Sequence, residues 1–559
     1  MSKSLDVDAR LAGLLVQRGI DTFEKARKFF RPSLEDLHDP YLMKDMEVAV
    51  KRLTEAIDKG ENILIYGDYD VDGTTSVSLV YSFLSSINAN VANYIPDRYE
   101  EGYGVSYQGI DLADDNEVKL IIALDCGIKA NEKVAYAKKK GIDFIICDHH
   151  LPGNTLPNAV AVLDPKREDC DYPYKELCGC GVGFKLVQAF AKSKAIDPAE
   201  LMPLLDLVAI AIAADIVPIT GENRVLAHFG LKVINSRPRT GIQAMIQSMK
   251  KDQLNITDVV FQIAPRINAA GRMKHGLFAV ELLTEQDPVR AMEYASMIDL
   301  QNTERKDLDK KITEEALRQI ELNGETEKFT TVVYQEDWHK GVIGIVASRL
   351  IEKYYRPTLV FTRCGEKLAA SARSVKDFDV YNALEQCADY IEQFGGHKYA
   401  AGLTLKPQNY DAFKDKFEEV VSESIEKSSL NPQINVDAEV NLFDLNPKFY
   451  RVLKQFGPFG PGNMKPVFMA AGLRDNGYGK TVGQNGDHLK MSLISGQHFS
   501  TFDAIGFNLG DKYPLIKSGS PFKAVFTLES NEWNGQSRLQ LNVKDLKPES
   551  LNSEGASGR

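Results

Sequence analysis

The alternation of apolar and polar positions divides the chain into regions with different periodicities. Between about 45 and 220, short apolar runs alternate with helical patterns. Apolar runs of four or five residues separated by helices indicate a parallel sheet that is covered by helices on both faces. The runs lie at 63–66, 91–95, 120–124, 144–147 and 159–163.

The remainder of the chain changes pattern twice. Residues 225–325 have helical periodicity and end in a long amphipathic helix, which suggests a connector between lobes. A second, smaller α/β pattern follows, and from about 432 short strands alternate apolar and polar residues. The last two strands flank Asn534-Gly535, a strong hairpin signal, and five or six such strands favour a small barrel of the OB type.

We therefore predict an α/β fold in which a long connecting helix joins a parallel-sheet domain to a smaller α/β domain, followed by an OB-type β-barrel. The predicted segments are an N-terminal helical segment at 1–45, the parallel-sheet domain at 46–225, a helical region with the connector at 226–328, the smaller α/β domain at 329–428, the barrel at 432–548 and a disordered tail at 549–559.

The candidate metal-binding residues follow the ends of the apolar runs. Asp68, Asp70 and Asp72 follow the first run, Asp125 follows the third, and Asp148-His149-His150 follow the fourth. Ligands in such folds sit beyond the carboxyl ends of the strands, so we expect these groups to converge there. Carboxylates and imidazoles brought together in this way suit divalent cations.

Other interpretations apply to each group alone. Asp68 opens a D-x-D-x-D-G pattern like a calcium loop, but Leu79 stands where that loop needs a glutamate. The three aspartates could also form a solvated turn, and a single histidine is more often structural. Asp215 ends a run that is apolar nearly all round, so it either joins a metal cluster or caps the turn before Pro218. Weaker candidates of the same kind are Asp164 and Asp206.

Composition limits the partners. The net charge is -11, so a nucleic acid could be met only by a local basic surface or through bound metal. Seven cysteines, few and odd in number, fit a reducing compartment. Without a signal-peptide pattern or a run of about 18 apolar residues, we expect a cytoplasmic protein with no membrane partner.

Three stretches are candidates for phosphate or base contacts. Arginines beside small residues occur in APRINAAGRM at 264–273, which could equally be a surface loop. SARS lies at 371–374, and GGHKYAAG at 395–402 places His397 after two glycines that allow close backbone approach. Taken singly, a Gly-Gly-His turn is more often only a helix end.

These motifs together resemble a known family. DYDVDG at 68–73, LDCG around Asp125, DHH at 148–150 and AADIVP around Asp215 resemble the four motifs of the DHH phosphoesterase superfamily, and GGHKYAAG resembles its DHHA1 domain. With RYEEGYG at 98–104, APRINAAGRM, SARS and the barrel, the chain from about 45 to 548 is similar to the RecJ family of single-strand-specific DNA exonucleases.

The resemblance implies a centre of two divalent ions, Mn2+ or Mg2+. Asp70 and Asp215 would hold one ion and Asp72 and His149 the other, with Asp125 bridging. His150 would be a further ligand or lie close to the scissile phosphate, while Asp68 and Asp148 would orient ligands. Histidine among the ligands favours Mn2+ over Mg2+.

The resemblance also implies the activity. The expected substrate is single-stranded DNA with a free 5′ end, degraded from 5′ to 3′ into 5′-mononucleotides during DNA repair and recombination. A helicase and a single-strand-binding protein are candidate partners, and we expect a monomer. The residues expected to grip the nucleotide end and its phosphates are Arg98, Arg266, Arg272, Ser371, Arg373 and His397.

Two rival functions are weighed against this one. A small-molecule or oligonucleotide phosphodiesterase of the same superfamily, similar to a nanoRNase, would lack the C-terminal barrel. A non-catalytic replication scaffold would not need Asp70, Asp72, Asp125 and His149. We further expect that a chain cut after about Ser428 would keep a whole metal site and cleave very short oligonucleotides, provided its lobes stay soluble.

Overall fold

The computed structural model describes residues 2–249, 251, 253–495, 501–533 and 536–549. The first elements are three short helices, α1 (Ser2–Leu5), α2 (Ala9–Gln17) and α3 (Phe23–Phe30). A side chain caps the first turn of α2 and of α3. Asp8 accepts a hydrogen bond from the amide of Arg10, and Thr22 accepts one from that of Lys25.

A parallel sheet of five strands in the order β2-β1-β3-β4-β5 forms the next domain within the described residues. Its elements are α4 (Met46–Asp58), β1 (Asn62–Gly67), α5 (Val71–Ser86), β2 (Val91–Tyr94), α6 (Tyr107–Asp115), β3 (Val118–Leu124), α7 (Asn131–Lys139), β4 (Asp143–Cys147), β5 (Ala161–Leu163) and α8 (Gly179–Ser193). All five strands begin and end within two residues of the predicted runs.

Alternation along β1 explains why helices cover both faces. Ile63 and Ile65 point into a core that includes α5 and α8, while Leu64 and Tyr66 point into a second core with α6 and α7. Successive side chains of a strand face opposite sides, so an uninterrupted apolar run requires apolar partners on both.

Helices dominate the following region, as predicted. They are α9 (Leu205–Ala214), α10 (Gly221–Ser236), α11 (Thr240–Gln247), α12 (Ile256–Asp258), α13 (Ala264–Met273), α14 (Leu277–Thr284) and the connector α15 (Pro288–Leu322). The APRINAAGRM stretch is therefore helical, as α13, after a π-helical turn at Val259–Ile263.

The second α/β domain contains a five-stranded sheet among the described residues, in the order β6-β7-β8-β10-β9. β6 and β7 are parallel and the other pairs are antiparallel. The elements are β6 (Thr331–Tyr334), α16 (Ile343–Tyr354), β7 (Thr358–Cys364), β8 (Lys367–Arg373), α17 (Val380–Glu385), β9 (Gln393–His397), β10 (Ala400–Leu405) and α18 (Tyr410–Ser424).

The C-terminal domain is a sheet of seven described strands in the order β11-β12-β16-β17-β15-β14-β13. An additional pairing between β12 and β14 closes five of the strands into a ring. The elements are β11 (Ala438–Glu439), α19 (Pro447–Lys454), β12 (Phe468–Asp475), β13 (Lys480–Val482), β14 (His488–Ser495), β15 (Phe502–Gly506), α20 (Tyr513–Lys517), β16 (Phe522–Trp533) and β17 (Gln536–Pro548).

Two predictions fall partly outside the described residues. β16 and β17 pair as an antiparallel hairpin, but its turn, Asn534-Gly535, is not described. The tail predicted to be disordered is described only at Glu549.

The N-terminal helices share the core of the C-terminal domain. Leu11, Leu14 and Phe29 are buried together with Phe456 and Phe468. Burial of each large apolar side chain contributes roughly 1.5–3 kcal/mol, so the two ends of the chain form one packed unit.

Candidate active site

The carboxyl ends of β1, β3 and β4 lie side by side, and each is followed by an aspartate. These are Asp68, Asp125 and Asp148, all at most 2% exposed. Parallel strands end at the same sheet edge, so three residues far apart in the chain reach one place. This is the convergence that the sequence predicted.

His149 stands at the centre of the cluster. Its Nε2 lies 3.2 Å from Asp125 Oδ1, 3.6 Å from Asp215 Oδ2 and 3.8 Å from Asp72 Oδ2. Within the described residues, neither Asp125 Oδ1 nor the ring nitrogens of His149 have a hydrogen-bond partner, although all three atoms are buried. Buried polar atoms without partners are rare, and a cation would satisfy this set.

Electrostatics favour a cation at the same place. Burial raises the pKa of Asp72 and Asp125 well above the usual range, and repulsion from neighbouring carboxylates adds to the increase. Burial, with the charge of His150, lowers the pKa of His149 to about 3, so this imidazole is neutral and free to ligate. Neutral imidazole beside carboxylates is a donor set for Mn2+ or a similar ion.

The start of α8 holds two of these carboxylates. Asp72, in the first turn of α5, accepts hydrogen bonds of 2.7 Å from the amides of Gly179 and Cys180. A Cβ at Gly179 would lie 2.6 Å from the Cβ of Asp125, so only glycine fits there. Asp125 itself has a φ of 59°, a conformation that few residues other than glycine adopt.

Asp148 orients the histidine pair. It accepts hydrogen bonds from the amides of Ile128, His149 and His150 and from Nδ1 of His150, at 2.7–3.1 Å. Burial acts to raise its pKa, but the hydrogen bonds and the charge of His150 lower it to about 2. In turn Asp148 raises the pKa of His150 to about 9 against the effect of burial. Nε2 of His150 lies 3.3 Å from the hydroxyl of Tyr103.

Asp215 joins the cluster from a helix end, whereas Asp70 lies at the start of α5 and acts on the neighbouring carboxylates through its charge. Asp70 caps α5 by accepting a hydrogen bond of 3.0 Å from the amide of Gly73. Asp215 is the C-terminal cap of α9, and burial together with the charge of Asp70 raises its pKa to about 7. Geometry groups Asp72, His149 and Asp215 around one point, and Asp125, His149 and His150 around another. The division of ligands between two ions stays a prediction.

Three further acidic residues have other surroundings. Asp206 pairs with Arg239, whose Nε lies 3.0 Å from its Oδ2, so it is structural. Asp164 is buried, its Oδ2 has no hydrogen-bond partner in the described part of the chain, and burial raises its pKa to about 7. Asp68 lies under the cluster, with burial and Asp70 raising its pKa.

A cavity of about 510 Å³ between the two α/β domains gathers positive charge. Arg98 lies over the ring of Tyr69, with 4.5 Å between the guanidinium carbon and the ring centroid. Nη1 of Arg272 donates to the carbonyl of Gly341 at 3.0 Å, and Nη1 of Arg373 donates to the hydroxyl of Ser371 at 3.0 Å.

These arginines have no carboxylate partner among the described ion pairs. Burial, followed by the charges of Arg98 and Arg373, lowers the pKa of Arg272 to about 10, and burial with Arg98 lowers that of Arg373. Crowded guanidinium groups without anions form a site for phosphate. The cavity therefore brings together four of the residues named from the sequence, and their role toward a phosphate stays a prediction: Arg98, Arg272, Ser371 and Arg373.

Two predicted contact residues lie elsewhere. Arg266 forms an ion pair with Asp299 of α15 and donates to the carbonyl of Gln262, so its donors are occupied within the helical region. His397 is exposed on the edge strand β9 and does not line the cavity, although Gly395 does. Their roles toward substrate stay predictions.

Sequence reasoning missed the residues that frame the cavity. Tyr69, Tyr99 and Tyr103 line it, and Gly344 packs against Ser371 and Arg373. RYEEGYG contains two of these tyrosines, and Tyr69 stands between two predicted ligands, so their positions were the available signal.

Family models match three parts of the chain. Residues 62–212 match the DHH family N-terminal domain, 327–423 the DHHA1 domain and 436–545 the RecJ OB domain. The predicted fold class is confirmed. The DHHA1 match begins two residues before the predicted start at 329, and the predicted domain bounds stay predictions. In the described residues no helix is both long and apolar enough to cross a membrane.

Whole-chain relatives extend this similarity. The chain is 38% identical over 551 residues to the single-stranded-DNA-specific exonuclease RecJ of Bacillus subtilis, covering 98% of this chain and 69% of that protein. It is 35% identical to RecJ of Haemophilus influenzae, covering 92% and 93%. The crystal structure of Thermus thermophilus RecJ with Mn2+ superposes with a TM-score of 0.84 at 26% identity, covering 98% of this chain and 78% of that one. The fold, the arrangement of the site and these relatives together establish that the chain belongs to the RecJ family.

Proposed function

We propose that this protein is a metal-dependent exonuclease specific for single-stranded DNA, which degrades its substrate from 5′ to 3′ and releases 5′-mononucleotides in DNA repair and recombination. The observation that carries the proposal is the position of the arginine cavity beside the carboxylate and histidine cluster. Tyr69 links the two, because it follows Asp68 and lies under Arg98. A terminal phosphate in the cavity would bring the first phosphodiester close to the cluster.

The cluster suits two divalent ions, Mn2+ or Mg2+. Asp70, Asp72, Asp125, His149 and Asp215 would hold them, and relatives from Thermus thermophilus were solved with each of the two metals. Bound there, the ions would activate water and neutralise charge on the scissile phosphate.

The chain's own residues perform the remaining tasks. Asp148 keeps both histidines in position by accepting the hydrogen bonds of their amides. The carboxylate of Asp148 raises the pKa of His150 to about 9 against the effect of burial, and in its protonated form His150 can donate to a phosphate oxygen. Tyr103 steadies the ring of His150 from the cavity side.

The cavity supports the proposed direction of digestion, from the 5′ end. Ser371 and Arg373 come from β8, Arg98 from the parallel-sheet domain and Arg272 from α13 of the helical region. A bound 5′-phosphate would therefore join the second α/β domain to the first part of the chain. Internal phosphates carry one negative charge and are flanked by sugars on both sides, so a terminal phosphate fits such a pocket better. The acidic net charge is no obstacle, because the attraction is local.

The rival functions are less consistent with the molecule. A small-molecule or nanoRNase-like phosphodiesterase has no use for the OB domain that residues 436–545 match. A scaffold without chemistry has no reason to retain unpaired Asp125 Oδ1 and His149 Nε2 in a buried cluster. A cytoplasmic location, a monomeric state and a helicase or single-strand-binding-protein partner remain part of the proposal.

Digestion of 5′-labelled and 3′-labelled single strands with Mn2+ tests substrate, direction and metal together. We expect the 5′ label to appear at once as a mononucleotide while the 3′ label stays on long fragments. Closed circular single strands should resist, and their cleavage would make the protein an endonuclease.

Arg373→Ala tests separately whether the cavity recognises a 5′-phosphate. A 5′-phosphorylated strand should be cut faster than its 5′-hydroxyl counterpart, and the variant should lose that difference. Hydrogen bonds to charged groups contribute about 1.5–3 kcal/mol, so the loss on the phosphorylated strand should be about 10- to 100-fold. An unchanged preference would remove Arg373 from the pocket.

A further inference from the structure

The loop that leads into β12 contacts the turn that carries Asp215. This loop, FGPFGPGN at 456–463, is called the contact loop below. Its Pro461 carbonyl accepts a hydrogen bond of 2.7 Å from the amide of Ile219, four residues after Asp215. A segment of the C-terminal domain thus touches the catalytic domain beside a predicted metal ligand.

Two glycines allow this contact to be close. A Cβ at Gly460 would lie 2.5 Å from Cδ1 and 2.9 Å from Cγ1 of Ile219, which is 2% exposed and has little room to move. Gly462 has a φ of 71°, and a Cβ there would lie 2.9 Å from Cγ2 of Thr220. The loop backbone therefore packs directly on the turn, without side chains between them.

The contact loop is itself held in shape. Nδ2 of Asn463 donates to the carbonyls of Phe456 at 2.8 Å and Pro458 at 2.9 Å. Its Oδ1 accepts a hydrogen bond of 2.9 Å from Nε of Arg18 in the N-terminal segment. Arg224, in the first turn of α10, donates to the Phe456 carbonyl at 2.8 Å. The loop presents a fixed surface to the turn.

The turn needs support from outside. Ile216, directly after Asp215, has a φ of 59° although it is β-branched, and its side chain is 69% exposed. Strained backbone of this kind persists only where the surroundings hold it. The restraint comes from the residues that follow: the Pro218 carbonyl accepts hydrogen bonds from Tyr174 and Asn223, and Ile219 is clamped by the contact loop.

We infer that the contact loop positions Asp215 for metal binding, so that the C-terminal domain supports the metal centre in addition to any contact with DNA. Gly460, Pro461 and Asn463 are positioning residues that act through Ile219 and the strained turn. The inference rests on the proposed function, because it takes Asp215 as a ligand.

Gly460→Ala in the full-length protein tests the inference. The added methyl displaces Ile219 and so shifts the Asp215 turn. The dissociation constant for Mn2+, measured by isothermal titration calorimetry without DNA, should rise about tenfold, as it does when groups supporting a ligand are altered. Cleavage at low Mn2+ should fall and recover in excess Mn2+. Binding of a long oligothymidylate in EDTA should stay at the wild-type level.

Gly13→Ala is the matched control. Its Cβ would meet no atom of the described residues within 4 Å, and Gly13 lies in α2 of the same packed unit. The Mn2+ affinity of this variant should therefore match that of the wild type. Asn463→Asp is a second probe without added bulk, because it replaces the two donors that shape the loop by an acceptor. It should weaken Mn2+ binding in the same direction.

A fall in melting temperature with wild-type Mn2+ affinity in both variants would overturn the inference and leave the loop as structural packing. Asp215→Ala separates this failure from failure of the ligand assignment. If Asp215→Ala binds Mn2+ as the wild type does, Asp215 is not a ligand and the premise itself is wrong.

Discussion

Asp125 combines three properties in one side chain. It is 2% exposed, its backbone has a φ of 59°, and its Oδ1 has no hydrogen-bond partner among the described residues. Each property costs free energy in the absence of a cation, since strain and unpaired buried polar atoms are both unfavourable. These costs support the proposal that Asp125 serves to bind a cation.

Asp125→Ala should abolish hydrolysis and leave the fold intact. The Oδ1 of Asp125 lies 3.2 Å from Nε2 of His149, in the geometric group that also contains His150. If Asp125 bridges the two ions as predicted, its loss removes a ligand of both. Cleavage in saturating Mn2+ should fall below about 1% of wild type. The melting temperature in EDTA should not fall, because the substitution removes a carboxylate that the neighbouring carboxylates repel. The exposed Asp115→Ala serves as control, and substantial residual cleavage by Asp125→Ala would contradict the bridging role.

Asp215→Asn should change the pH dependence of stability. Burial and Asp70 raise the pKa of Asp215 to about 7, above its usual 3.8. A carboxyl with a raised folded pKa stabilises the fold while protonated, and that stability is lost as pH rises from about 4 through about 7. In EDTA, the melting temperature of the variant relative to wild type should therefore increase between pH 5 and pH 8. With Mn2+ present, calorimetry should show a lower melting temperature for the variant than for the wild type, because the variant binds the metal less well. A constant difference across this range would show that Asp215 does not titrate there.

At the scale of elements, the site is built from the ends of strands and helices. The carboxyl ends of β1, β3 and β4 supply aspartates, and the start of α8 holds Asp72. The start of α16 closes the arginine cavity, since a Cβ at Gly344 would lie 2.9 Å from Oγ of Ser371 and 3.1 Å from Nη2 of Arg373. Element ends offer unpaired backbone groups, which is why binding groups collect there.

Gly344→Ala should weaken recognition of the 5′-phosphate. The methyl would push Ser371 and Arg373 away from their positions, so the preference for phosphorylated strands should fall at least about threefold, with little change for 5′-hydroxyl strands. Gly395→Ala is the matched control, because Gly395 lines the same cavity but a Cβ there meets nothing within 4 Å. Competition between the two labelled strands measures the preference. Equal behaviour of both variants would show that packing at α16 does not shape the pocket.

At the scale of the whole molecule, the C-terminal domain contacts both the N-terminal segment and the turn that follows Asp215. Its core includes Leu11 and Phe29 from the N-terminal segment, and its contact loop reaches Ile219. Removing residues after about Ser428 would expose the apolar side chains of the N-terminal segment and remove the contact between the contact loop and Ile219. The expectation that such a truncation leaves the metal site whole stays a prediction. The inferred role of the contact loop predicts the opposite, since the turn after Asp215 would lose its contact with Pro461.

The truncated chain should cleave even short oligonucleotides poorly, with partial recovery in excess Mn2+. Phe507→Ala is the informative comparison, because Phe507 is 56% exposed on the C-terminal domain and lies outside the contact loop. Loss of one stacking contact should weaken binding of long single strands by about 1–3 kcal/mol and leave cleavage of short ones unchanged. Salt-dependent binding and short-substrate assays on both proteins measure this. Wild-type activity of the truncated chain on short substrates would restore the original expectation. Trp533 is a second aromatic residue of this domain that could stack on a base, and its side chain is not described.

The sequence by itself determined the elements and the order of the site groups. Runs such as 120–124 are contiguous, and their apolar character and length dictate buried parallel strands. Because parallel strands share an edge, the aspartates and histidines that follow them had to meet, and Asp68, Asp125 and Asp148 do. The family motifs then suggested roles for each.

Only the tertiary structure decided which charges are free and which are used. Arg266 and Arg272 stand in one motif, yet one pairs with Asp299 and the other faces the cavity, because α13 turns them in different directions. The support of the Asp215 turn comes from Pro461, more than two hundred residues later in the chain. Local patterns encode periodicity and turn chemistry, whereas contacts between distant segments depend on how complete elements pack, which no short stretch of sequence contains.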